Sequence, residues 1–172
     1  MNSGRAIVAV ALACGTMGAA SAAASWCLGL GVLGPIRTGM SVDEVVRLAD
    51  FSGMARKQAA GECWYLTYAR GSRGAEFQLM IIDGRVVRIE VVRASTLHTF
   101  SGARIGSTEA ELRQLYGDRL DSQPHKYDEQ GRTLTWRSAD GAFGMRFETS
   151  SGKVTGMQAG PWEHLHYLEG CS

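Results

Sequence analysis

The sequence predicts an α+β fold: two tandem repeats of a short helix packed on a small antiparallel sheet. Three observations carry this. Residues 39–48 (G-M-S-V-D-E-V-V-R-L) are matched by residues 106–115 (G-S-T-E-A-E-L-R-Q-L), an offset of 67 from 39 to 106. Both copies carry a capping box, Ser41 with Glu44 and Thr108 with Glu111. The hydroxyl accepts from an orphan N–H of the first turn, and the Glu accepts from the cap's own N–H. Finally, Phe77, Leu79 and Ile81 before Asp83-Gly84 recur as Met145, Phe147 and Thr149 before Ser151-Gly152, an offset of 68 from 77 to 145. One inserted residue between helix and hairpin accounts for the change. The period exceeds that of a solenoid unit. Two fused copies of one module are therefore expected, over residues 25–101 and 102–172.

The chain has 172 residues, enough for one or two small domains. Hydrophobic residues make up 45% and charged residues 20%, the balance of a globular chain able to bury a core. The formal net charge is +1, so composition gives no electrostatic case for a nucleic-acid partner or an anionic membrane.

Residues 1–24 read as an export signal peptide. Arg5 is the only charge before Arg37, an apolar run covers residues 6–13, and small residues dominate from 15 to 24. Ala20-Ser21-Ala22 and Ala22-Ala23-Ala24 both fit the A-x-A rule, which puts cleavage near Ala22 or Ala24. The run is too short and too rich in Ala and Gly for a spanning helix of ~20 residues. The expected location is periplasmic or secreted. An alternative is a lipoprotein box at Ala11-Leu12-Ala13-Cys14, with its Leu one position late. A membrane is expected only if Cys14 is lipidated.

An exported chain meets an oxidising compartment, so its cysteines pair. Without Cys14, the residues Cys27, Cys63 and Cys171 remain and allow three choices of one bridge. A Cys63–Cys171 disulfide is favoured, because Cys63 opens a predicted strand and Cys171 would tie the tail to the first module. Cys27 is then left free or paired between molecules.

The elements follow in order. Residues 25–33 (S-W-C-L-G-L-G-V-L) are apolar and read as an edge strand or a lead into the first module. Gly34-Pro35 turns the chain, residues 36–40 are extended, and Ser41 caps the first helix. Val42, Val45, Val46, Leu48 and Ala49 form its apolar stripe. Residues 54–61 are small and polar and read as a loop. Residues 62–69 (E-C-W-Y-L-T-Y-A) are rich in β-forming side chains. That strand puts Trp64, Leu66 and Tyr68 on one face and Cys63, Tyr65 and Thr67 on the other. Residues 75–82 form the next strand. Asp83-Gly84 is the strongest hairpin signal, since both residues tolerate the positive φ of a type I′ turn. Residues 85–93 follow, with Val87, Ile89 and Val91 inward and Arg88 and Glu90 outward.

After a linker at 94–101, Thr108 caps a second helix that runs through Tyr116 and stops at Gly117. Residues 132–138, 142–148 and 153–159 are strands, with Leu134 and Trp136 on one face of the first and Phe143, Met145 and Phe147 inward on the second. Gly160-Pro161 breaks the last, and residues 165–168 are a candidate edge strand.

The segment Ile36-Arg37-Thr38-Gly39-Met40-Ser41-Val42-Asp43-Glu44-Val45 resembles the small lipoproteins of the outer-membrane barrel-assembly machinery, the SmpA/OmlA type. Two such modules in tandem are similar to the secreted β-lactamase inhibitor proteins, whose sheet face grips an enzyme. The second half (G-x-R-I-G-S-T-E-A-E, P-H-K-Y, F-E-T-x-x-G-K-V-T and Y-L-E-G-C) also resembles exported bacterial proteins of no settled activity. The resemblance implies an envelope protein that binds other proteins. It bears on the fold more than on the function. The inhibitors have a disulfide inside each repeat, whereas here only the first module has a strand cysteine, so no contact residue or target is carried over.

No chemistry-bearing motif is assembled by the spacing. G-x-S-x-G, P-loop, dinucleotide and H-E-x-x-H patterns are all absent from the sequence. His164-x-His166 puts two imidazoles on one face, but no further ligand stands at a diagnostic spacing, so neither metal nor cofactor is expected. Glu44 and Glu111 are explained as caps. Pro124 followed by His125, Lys126 and Tyr127 is a candidate polar recognition loop. Trp64, Tyr68, Trp136 and Trp162, with Arg88 and Arg137, are the candidate anchors of a sheet-face interface, because aromatic and Arg side chains dominate such surfaces. The expected function is non-enzymatic binding of another exported or envelope protein. The alternative is a glycan or cell-wall ligand held by exposed aromatic side chains.

Overall fold

The computed structural model describes residues 26–48, 54–57, 63–69, 75–92, 95–166 and 170–171. The expected signal peptide and Cys14 lie outside them. The chain opens with β1 (Cys27–Gly29), β2 (Val32–Leu33) and β3 (Ile36–Arg37), then the short helix α1 (Val42–Arg47). Four strands follow: β4 (Met54–Lys57), β5 (Cys63–Ala69), β6 (Ala75–Ile82) and β7 (Arg85–Val91). Next come β8 (His98–Thr99) and the helix α2 (Glu109–Tyr116). The last strands are β9 (Leu120–Pro124), β10 (Gly131–Arg137), β11 (Phe143–Ser150) and β12 (Lys153–Pro161).

These strands make two sheets. A small one has the order β3-β2-β1-β8, and a large one of eight strands has the order β4-β5-β6-β7-β12-β11-β10-β9. The large sheet is antiparallel throughout.

The protein is thus mostly β, and the α+β expectation of two helix-on-sheet repeats is overturned. The helices have six and eight residues. Each buries one side chain, Val45 or Leu112. Val46, read as part of the apolar stripe of the first helix, is 55% exposed, and Leu115 of α2 is 41% exposed. Such short helices cannot cover a sheet. Leu28, Leu33 and Ile36 of the small sheet take that place, in one core with Phe77, Ile89, Leu134, Phe147 and Met157.

The two halves also do not close separately. β7 and β12 pair at Met157↔Val91, Gln158↔Glu90 and Ala159↔Ile89, which joins both sets of four strands. What recurs is more local. Gly39 N–H donates to Val86 O and Val42 N–H to Gly84 O, and likewise Gly106 to Val154 O and Glu109 to Gly152 O. Each capped turn therefore docks on a tight hairpin. Both capping boxes form. Asp83-Gly84 and Ser151-Gly152 have φ of 50° and 72°, and 50° and 74°, as I′ turns require.

Other expectations shift as well. Residues 54–57, read as loop, form the edge strand β4 against β5. A register shift between Met80 and Ile81 breaks the phase of β7. Val86 then replaces Val87 beside Ile89 in the core. Residues 162–164 are a 3-10 turn and 165–166 continue as a turn, rather than starting the edge strand expected over 165–168, of which 167–168 lie outside the described residues. The Cys63–Cys171 disulfide is present, with Cα atoms 5.3 Å apart and a sequence separation of 108. Cys27 is disulfide-bonded too in the full chain, with its partner outside the described residues. Such bonds persist in oxidising compartments, which fits an exported chain.

Candidate functional site

Strand alternation sends one set of side chains to the core and the other to the opposite face of the large sheet. On that opposite face the registers align a polar row across seven strands: Asp121, Thr135, Arg146, Gln158, Glu90, Gln78 and Thr67. Two described pieces of the chain end, residues 161–166 and 170–171, lie on this face and together form a strap. Pro161 leads into the turn at Trp162–His164, and Cys171 returns to β5 through the disulfide. Gly144 makes room for the crossing, since a Cβ there would lie 2.7 Å from Trp162 and 2.8 Å from Leu165.

Two buried arginines hold the strap. Arg88 is 1% exposed and Arg146 is 4% exposed. Arg88 Nη1 donates to His164 O at 2.9 Å, and Arg146 Nη1 donates to Leu165 O at 3.3 Å. Each is balanced by a carboxylate on its own strand: Arg88 Nη2 is 2.6 Å from Glu90 Oε1, and Arg146 Nη2 is 2.9 Å from Glu148 Oε1. A buried charge without a partner would be prohibitively costly, which explains the pairing. Tyr65 donates to Glu90 Oε1 at 3.2 Å and accepts from Arg88 at 3.3 Å. Burial, and then the Glu90 charge, push the Tyr65 phenol above its ordinary pKa. Burial lowers the pKa of Arg146, opposed by the Glu148 charge. Its Nε has no hydrogen-bond partner among the described residues.

Between the strap and the sheet edge lies a groove of about 350 Å³. Its floor is Thr133, Thr135 and Arg146, its outer side Asp121 and Gln123, and its wall Trp162, Leu165 and His166. Arg119 and Arg137 stand at its mouth. Gln123, Thr133 and Arg146 continue into a second recess of about 180 Å³ under His125, Lys126 and Tyr127.

The sequence-predicted residues divide between the faces. Trp64, Tyr68 and Trp136 pack against the core. Tyr68 stacks on Phe77 at 5.0 Å, and Trp136 meets Tyr116 at 6.0 Å. They share faces as alternation requires, but the face is the covered one. Arg88 sits on the opposite face, buried under the strap rather than offered to a partner. Arg137 is exposed, with its guanidinium 4.7 Å over the Trp162 ring and Nε donating to Gly141 O at 2.9 Å. Trp162 is half-buried, between Arg137 and the edge of His166 at 4.8 Å.

The candidate loop after Pro124 lies over the second recess. His125 Nδ1 accepts from the Tyr127 N–H at 3.1 Å, which leaves Nε2 facing Glu148 Oε2 at 3.8 Å. Tyr127 is 65% exposed. The structure brings His125 and Tyr127 to one recess and Arg137 and Trp162 to the adjoining groove. Trp64, Tyr68 and Trp136 are not brought to either.

Sequence reasoning missed Arg119, Asp121, Gln123, Thr133 and Thr135. The last two had a signal, because they alternate with Leu134 and Trp136. Compared with known proteins, the sequence matches no family model and no curated protein.

Proposed function

We propose that the chain is an exported, non-enzymatic binding protein of the cell envelope that takes another exported or envelope protein along the groove beside β9. One observation carries the reading. The groove is a preformed recess at an open sheet edge, with a wall that is fixed by two buried arginines and the Cys63–Cys171 bond. Preformed surfaces bind with little ordering cost. The location follows the sequence reading: periplasmic or secreted, with the signal removed near Ala22 or Ala24, unless Cys14 is lipidated. The glycan alternative draws less support. Sugar stacking needs open aromatic faces, and of the candidates Trp64, Tyr68 and Trp136 pack on the core and Trp162 is covered by Arg137, which leaves Tyr127 as the exposed one.

Photo-crosslinkers placed at Gln123 and, as a control, at Arg113 on the exposed side of α2 test the proposal in whole cells. A protein adduct that forms from Gln123 and not from Arg113 is expected. Equal adducts from both positions, or none from Gln123, would overturn it.

A further inference from the structure

We infer that the partner presents an acidic, extended segment along β9, with carboxylates taken by Arg119 and Arg137; this rests on the protein-binding reading above. Each guanidinium is held in place by one hydrogen bond and one aromatic face. Arg119 Nη2 donates to Arg137 O at 2.6 Å and lies 5.2 Å over the Trp136 ring. Arg137 donates through Nε to Gly141 O at 2.9 Å and lies 4.7 Å over Trp162. A guanidinium has five N–H donors, so four on each remain for a ligand. Among the described residues, neither arginine has a carboxylate within ion-pair distance. Ion pairs form instead at Arg88, Arg146, His125 and His164, among others.

The groove also holds one carboxylate, Asp121, which accepts from Gln123 Nε2 at 3.1 Å and makes no direct ion pair with either arginine. Two prepositioned guanidiniums with no direct ion pair among the described residues are complementary to carboxylates, which fit the guanidinium fork bidentately. Their fixed rotamers reduce the entropy lost on binding.

The edge supplies the second part of the argument. β9 ends the eight-stranded order and pairs only with β10. An extended chain adding to such an edge places alternate side chains on one face. On the groove side these would flank Asp121 and Gln123, and those at the Leu120 end would lie beside Arg119 and Arg137, since Leu120 pairs with Trp136. Carboxylates at that end of the segment, clear of the Asp121 charge, are thus the matching pattern. Pro124 closes the edge at one end, because it has no N–H to donate.

The probes are the acetylated peptide T-E-T-E-T-E-T, its Gln and Lys analogues, and polygalacturonate, each titrated into the whole exported chain. NMR reads the backbone amides and the arginine Nε–H signals. The Glu peptide is expected to move the Arg119 and Arg137 Nε–H signals and the amides of 120–124. It should bind about tenfold or more tighter than the Gln analogue, weaken with added salt, and lose its effect in R119Q/R137Q. Equal binding of the Gln peptide, no binding of the Glu peptide, or unchanged binding in the double variant would overturn the inference. Tighter binding of polygalacturonate at the same arginines would replace the protein partner by a polysaccharide.

The Gln123 crosslink separates the two proposals. If the adduct forms equally in R119Q/R137Q, the binding reading stands and the acidic-segment inference falls. If wild type gives no adduct, the binding reading falls.

Discussion

Replacing Arg88 by Met tests how the strap is held. The guanidinium gives one bond to Glu90 at 2.8 Å through Nε, one to His164 O at 2.9 Å, and one to Tyr65 at 3.3 Å. Methionine preserves much of the volume and removes these bonds together with the 2.6 Å contact of Nη2 with Glu90. Removing one partner of a buried ion pair costs about 3–5 kcal/mol, because the other charge is left uncompensated. Here Glu90 keeps two weaker donors, Tyr65 at 3.2 Å and Gln78 at 3.3 Å. That holds the loss to about 3 kcal/mol. The His164 carbonyl, left without its donor, adds about 1 kcal/mol.

R88M should therefore lose about 4 kcal/mol in urea unfolding followed by tryptophan fluorescence. R88M/E90L should recover part of it, giving a coupling of about 2–3 kcal/mol in the double-mutant cycle. A single-variant loss under about 1 kcal/mol with additive doubles would show the pair to be solvated, and the reasoning would fail.

Three further outcomes are expected. C63S/C171S should lose up to about 4–5 kcal/mol, the chain-entropy value for a loop of this length, and an unchanged urea midpoint would refute it. G144A should push Trp162 and Leu165 outward at about 1–3 kcal/mol of overpacking, and wild-type stability with unchanged Trp162 fluorescence would count against the close contact. Tyr65 and Tyr116 both have raised pKa values, chiefly through burial. Their contribution is complete below the unfolded tyrosine value of about 10 and is lost as pH rises through the folded values. Absorbance at 295 nm should show late tyrosine ionisation coinciding with alkaline unfolding, and a single ordinary titration of all five tyrosines would contradict the burial.

Local signals were readable in the sequence where a single residue pair decides the geometry. The capping boxes, both I′ turns and the Cys63–Cys171 bond are of this kind. Alternation placed Trp64, Leu66 and Tyr68 together, but parity cannot say which face is covered. That depends on the N-terminal hairpin of β1 and β2, whose two short strands carry almost no periodic signal. The same ambiguity made Arg88 look like a surface anchor. Its burial requires the strap, and the strap returns from a sequence distance of 76 residues to Arg88. The groove was hidden because its walls come from β9, β10, β11 and the chain end, and no one of these is unusual alone.

The seam between β7 and β12 bears on how the chain reaches its native state. Every other neighbour pair in the large sheet is consecutive in sequence or nearly so, and such hairpins close in microseconds. Val91 and Met157 are brought together across most of the second half, with only three residue pairs at the join. Long-range closures of this sort set slow folding rates, since the loop entropy is lost before the contacts form. Each half can thus acquire its hairpins as it emerges, yet the groove exists only after the seam has zipped and the strap has crossed it. Amide exchange at 89–91 and 157–159 therefore reports the moment when the binding surface comes into being.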